Sequence, residues 1–163
     1  MKIVYQCVAA ILVLGVSGCV QEDCDDQVAA EETAPVDEVA GDQETLYQRI
    51  GGYDVVAAII DDMGPRALND PAFSMFFTDM DEEAGMAARQ HAVNLVCERA
   101  GGPCFYTGRE MKTVHEGLGI TDEQWRLNLG HLSDTLDALN IAGDEKSEVI
   151  AIFAGFREDI VDQ

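Results

Sequence analysis

From Tyr53 to Val161 the apolar residues recur three and four positions apart, and no stretch alternates for long enough to propose a strand. That spacing predicts an all-α domain. Val56, Ala57, Ile59, Ile60, Met63 and Ala67 form one stripe over Tyr53 to Leu68. A second helix is predicted over Glu82 to Arg99, with acidic residues at its start, where the helix dipole favours them. Ala88, His91, Ala92, Leu95 and Val96 share one of its faces. Gly101-Gly102-Pro103 ends it. Trp125, Leu129, Leu132 and Leu136 mark a long helix from Asp122 to Leu139. A last helix, from Asp144 to Val161, carries Val149, Ile152, Phe153, Phe156 and Ile160. The dipeptide Gly64-Pro65 interrupts the first stripe, so a kink or an early helix end is expected there.

The chain before this domain is of another kind. Met1-Lys2 and the apolar run Val8 to Val16 read as an export signal ending in Val16-Ser-Gly-Cys19. This ending resembles the bacterial lipobox, which implies lipidation of Cys19; ordinary secretory cleavage or an uncleaved anchor are the alternatives. Val20 to Glu44 holds ten acidic residues, no Lys or Arg and no aromatic residue. It is expected to be a disordered tether, because it cannot bury enough apolar surface to offset its ordering entropy. The boundaries are therefore a lipoprotein signal over 1–18, an acidic tether over 19–44 and a folded domain over 45–163. Formal charge is −21 overall, which argues against nucleic acid as a partner. The expected location is a bacterial cell envelope, with the domain lipid-anchored and facing the periplasm or the exterior.

Candidate chemistry centres on Tyr106 to Ile120. Gly-rich turns bracket Arg109 to Glu116, long enough for about two helical turns. Met111, Val114 and His115 fall on one face of it. By itself His115 suits either an axial metal ligand or a hydrogen-bonded core histidine. The chain has three histidines. There is no Cys-x-x-Cys-His for covalent c-type haem and no usual zinc spacing. His131 reads as partly exposed and structural.

Several segments, in order, carry a family resemblance. They are Leu46-Tyr-Gln-Arg-Ile-Gly-Gly52, Asp70-Pro with Phe76-Phe77, Ala100-Gly-Gly-Pro103, Tyr106-Thr-Gly108, Met111-Lys-Thr-Val-His115 and Gly119-Ile-Thr121. From Thr45 to Val161 the chain resembles the group I truncated haemoglobins, the two-over-two globins. The resemblance implies non-covalent haem, with His115 as proximal iron ligand and Phe77 packed on the haem face. Met111, Val114, Ile120, Trp125 and Ala92 are expected beside them. Gly64 stands where the family usually has a tyrosine that hydrogen-bonds bound oxygen, and Ala88 and Ala92 where it often has polar groups. His91 matches a position where some members carry a second iron ligand; the other reading places it at the pocket edge, on a propionate or water. Arg89, Arg109 and Lys112 are candidate propionate partners. Cys97 and Cys104 flank the Gly-Gly-Pro turn as either a disulfide or two buried thiols.

The implied function is binding of oxygen, nitric oxide or another small diatomic ligand, with redox or sensing roles, a possible redox partner, and nitric oxide dioxygenation as a possible enzymatic activity. A haem-free, globin-like interaction lipoprotein is the alternative.

Overall fold

The structure, a computed structural model, describes residues 43–161. The export signal, Cys19 and nearly all of the tether lie outside these residues. Seven α-helices and one 3-10 turn make up the described chain, in the order α1 (Leu46–Ile50), α2 (Tyr53–Asn69), the 3-10 turn Ser74–Phe77, α3 (Glu82–Arg99), α4 (Met111–His115), α5 (Asp122–Ala138), α6 (Gly143–Ala154) and α7 (Arg157–Ile160). No described residue lies in a strand. Helix α2 packs against α3 and α5, α5 against α6, and the short α4 against α7. This is the two-over-two arrangement, with α2 and α3 as one pair and α5 and α6 as the other. Among the described residues no helix is long and apolar enough to cross a membrane.

The helix starts are written in short polar motifs. Thr45 and Thr121 each form a capping box, with Gln48 and Gln124 respectively bonding back to the cap. Asp81 caps α3 by accepting from the Ala84 N–H. The core is built from Val56, Ile59 and Met63 of α2, Val93, Val96 and Cys97 of α3, Leu132 and Leu136 of α5, and Val149 of α6. Phe73, Leu95, Trp125 and Val161 are also buried, but outside that cluster. One buried polar side chain, Thr135, donates from Oγ1 to Asp62 Oδ2 at 2.7 Å and so ties α5 to α2. Arg66 Nε donates to the same Asp62 oxygen at 2.6 Å.

One of the two alternatives expected at Gly64-Pro65, and the continuity of the last helix, are corrected. Helix α2 does not end early at Gly64-Pro65; it runs on to Asn69. One part of the proline clash is with the Cβ of the residue before it, and Gly64 has none. Pro65 also sits near the end of α2, where its missing N–H removes a single internal bond. Its carbonyl accepts from Asn69 Nδ2 at 2.7 Å. The last helix, in contrast, is not continuous. It breaks at Gly155 and Phe156, where Phe156 N–H turns to Phe153 O at 2.9 Å, a tighter i to i−3 bond. The break leaves α7 as the separate turn that packs against α4.

Candidate haem site

Helix α4 is five residues long, three shorter than the Arg109 to Glu116 segment in which it was expected. A helix this short is not stable by itself, so its neighbours fix it. Val114 N–H bonds to Glu110 O at 3.1 Å, and Leu118 N–H to His115 O at 3.1 Å. Gly117 and Gly119 then take left-handed backbone, with φ of 80° and 62°, and lead into the Thr121 cap of α5.

His115 is half-buried at the end of α4, and its Nδ1 lies 2.7 Å from Met111 O. A carbonyl only accepts, so Nδ1 is a protonated nitrogen and in the neutral tautomer Nε2 keeps its lone pair. This is how a histidine is prepared for metal: one nitrogen is anchored to the protein and the other is left as the donor. Met111, Val114 and Ile120 are half-buried, and Trp125 is buried.

On α3, His91 and Ala92 are half-buried. His91 Nδ1 is enclosed and has no hydrogen-bond partner among the described residues. An uncompensated buried nitrogen costs about 1–3 kcal/mol, so such groups need an explanation. Its ring meets Tyr106 edge-on, with centroids 6.0 Å apart. Ala88, expected beside it, is exposed, while Leu95 and Val96 are buried. On α2, a Cβ built at Gly64 would meet nothing within 4 Å outside its own chain neighbours. Phe77, half-buried, comes from the 3-10 turn.

Arg89 Nε and Nη2 both grip the Asp61 carboxylate, which joins α3 to α2 and holds that carboxyl below its usual range. Arg89 is thereby committed to Asp61. Arg109 and Lys112 are exposed on either side of the start of α4. His131 Nε2 lies 2.9 Å from Asp70 Oδ2, and its ring stacks edge-on to Phe73, a structural position. Cys97 and Cys104 are joined by a disulfide, Cα to Cα 5.8 Å.

A two-over-two helical domain with an anchored histidine on a short helix, and a second half-buried histidine on α3, fits a class: a haem protein of globin type. The donor set fits haem, since imidazole suits iron and the half-buried Met111, Val114 and Ile120 of the same segment are apolar. Comparison with known proteins agrees. The profile of the family described as Bacterial-like globin matches residues 45–162. A group 1 truncated hemoglobin of Mycolicibacterium paratuberculosis is 35% identical over 118 residues, 71% of this chain and 83% of that protein. The 2/2 hemoglobin of Synechococcus sp., solved in the cyanomet state with covalently attached heme, superposes with a TM-score of 0.66 at 26% identity, over 74% of this chain and all of that one. Truncated hemoglobin from Tetrahymena pyriformis, at 21% identity and a TM-score of 0.68 over 74% of this chain and all of that one, shares the fold. The chain belongs to the bacterial-like globins, as a group 1 truncated haemoglobin, and its cofactor is haem.

The sequence pointed to His115 and His91 as candidates but gave no sign of Tyr106 as a neighbour of His91. Tyr106 stood only in the Tyr106-Thr-Gly108 motif, which carried no role of its own.

Proposed function

We propose that His115 holds the haem iron permanently and that His91 competes reversibly for its other face. Such a site suits electron exchange, or sensing of a small diatomic ligand such as oxygen or nitric oxide, better than oxygen storage. The observation that carries this is the asymmetry between the two histidines: His115 Nδ1 is anchored on Met111 O, and His91 Nδ1 is buried with no acceptor.

Anchoring orients the imidazole of His115 and raises the basicity of its free nitrogen, which strengthens it as a ligand. If His91 binds through Nε2, the buried Nδ1–H stays unpaired, which weakens that bond by about 1–3 kcal/mol relative to an anchored histidine. His91 can therefore leave. Haem supplies an iron able to take a small ligand or an electron. Gly64 and Ala92 offer no side-chain hydroxyl or amide that would hold bound oxygen. An external ligand binds only the fraction of molecules in which His91 is detached, and its apparent affinity falls by that fraction.

The test is the absorption spectrum of ligand-free ferrous protein at neutral pH. A low-spin six-coordinate spectrum that becomes five-coordinate in His91→Ala, with faster carbon monoxide binding, is the expected result. A wild-type spectrum that is already five-coordinate would end the proposal.

Its location is proposed to be the cell envelope, through lipidated Cys19 and a tether reaching roughly 30 Å as a coil and up to about 80 Å stretched. Cys19→Ser should leave the precursor unprocessed and unlipidated. Wild-type protein recovered wholly soluble, with an unmodified cysteine, would rule the anchor out.

A further inference from the structure

Tyr106 lies in the loop between α3 and α4, and everything around it acts to fix its ring. Its N–H donates to Glu98 Oε2 at 2.9 Å, and its hydroxyl donates to Arg109 O at 2.6 Å. A Cβ at Gly108 would overlap the tyrosine ring and its oxygen, so the ring seats where only glycine leaves room. The Cys97–Cys104 disulfide fastens the same loop to the end of α3. The loop is thus tied to α3 by the disulfide and Glu98, and to the approach of α4 by Arg109. Burial raises the Tyr106 phenol above its ordinary pKa, in keeping with a ring that is packed and not a solvent-facing acid.

The ring so held meets His91 edge-to-face, at 6.0 Å between centroids and 78° between planes. A histidine ligand is ordinarily oriented by a hydrogen bond from its second ring nitrogen. His115 has that bond; among the described residues nothing provides it for the Nδ1 of His91. We propose that Tyr106 is the positioning residue of His91: the edge-to-face contact fixes the imidazole plane in place of the missing hydrogen bond, and the disulfide keeps Tyr106 in register. This inference rests on the reading of His91 as a reversible iron ligand. It adds that the strength of that ligation is set from the α3–α4 loop, fifteen residues away in sequence. Loss of the ring frees the imidazole to rotate, and an edge-to-face pair of ordinary strength corresponds to about a two- to tenfold change in the His91-bound to His91-free ratio.

The experiment uses haem-loaded Tyr106→Leu and Tyr106→Phe, each with and without His91→Ala. The readouts are the six- to five-coordinate ratio in the ferrous spectrum and the rate of carbon monoxide association. Tyr106→Leu should lower the ratio about two- to tenfold and speed association accordingly. Tyr106→Phe keeps the ring and should stay near wild type. With His91→Ala present, Tyr106→Leu should change neither readout. A wild-type ratio in Tyr106→Leu, while His91→Ala abolishes the six-coordinate form, would overturn the inference and leave the ligation reading standing. So would a Tyr106→Leu effect that persists in the His91→Ala background. If His91→Ala and wild type give the same spectrum, the ligation reading itself fails and takes this inference with it. Should Tyr106→Leu not fold, Gly108→Ala displaces the same ring and carries the same expectation.

Discussion

Reducing the Cys97–Cys104 bond is the sharpest perturbation of the scaffold, because its size follows from the chain itself. The two cysteines are seven positions apart, so the bond closes a loop of about eight residues in the unfolded chain. Loop-closure entropy for that length is about 8 cal/mol/K, or on the order of 2.5 kcal/mol at 25 °C. For a domain of about 120 residues the unfolding entropy near the midpoint is roughly 0.25 kcal/mol/K, so the midpoint should fall by about 10 °C. Oxidised wild type and the same protein held in excess dithiol are compared by thermal unfolding with circular dichroism. Using wild type throughout avoids the cavity that truncating the fully buried Cys97 would add. A reduced protein whose midpoint stays within about 2 °C of the oxidised one would refute the argument, because it would mean the unfolded state gains no freedom from the cut.

Pro65→Ala restores a backbone donor inside α2 and should stabilise by up to about 2 kcal/mol, a helix gain of at most roughly 3 being offset by about 0.4–1 from a freer unfolded chain; urea midpoints will read it, and a loss of stability would contradict it. Asp62→Ala strands the buried Thr135 hydroxyl at a cost of about 1–3 kcal/mol, and adding Thr135→Val should recover part of that loss; a double variant no more stable than Asp62→Ala would count against the assigned bond. Asp61, Asp62 and Asp70 are all held below the ordinary carboxylate range, by Arg89, by Arg66 and Thr135, and by the Ala72 N–H and His131 respectively. Depressed folded values mean that the unfolded chain binds more protons just below pH 4, so stability should be full above that point and fall with further acid. A urea series in which stability rises steadily towards pH 2, as relief of the acidic repulsion alone would give, would contradict this.

Much of the fold was legible because helices announce themselves by period and punctuation. The Glu82–Arg99 helix sits at its predicted bounds, with Asp81 at one end and Gly101-Gly102 at the other. Of the two outcomes expected at Gly64-Pro65, a kink or an early end, the early end did not occur, and Gly64 removes the Cβ part of the proline clash. The break at Gly155 was hidden for the opposite reason. Phe153, Phe156 and Ile160 keep helical spacing across it, so the apolar stripe shows no interruption. At the site, His115 and its neighbours lie close in sequence and could be read together. Thr135 to Asp62 and Tyr106 to His91 are contacts made by folding, and no local pattern records them.

The central claim is that His115, anchored on Met111, holds the haem, and the most direct measurement is a haem titration of His115→Gly against wild type, followed by addition of free imidazole. Wild type should bind one haem per chain. His115→Gly should lose the wild-type spectrum and most of its retention, and imidazole should restore both by entering the space the side chain vacated. A His115→Gly protein that binds haem as tightly as wild type, with an unchanged spectrum and no response to imidazole, would contradict the account.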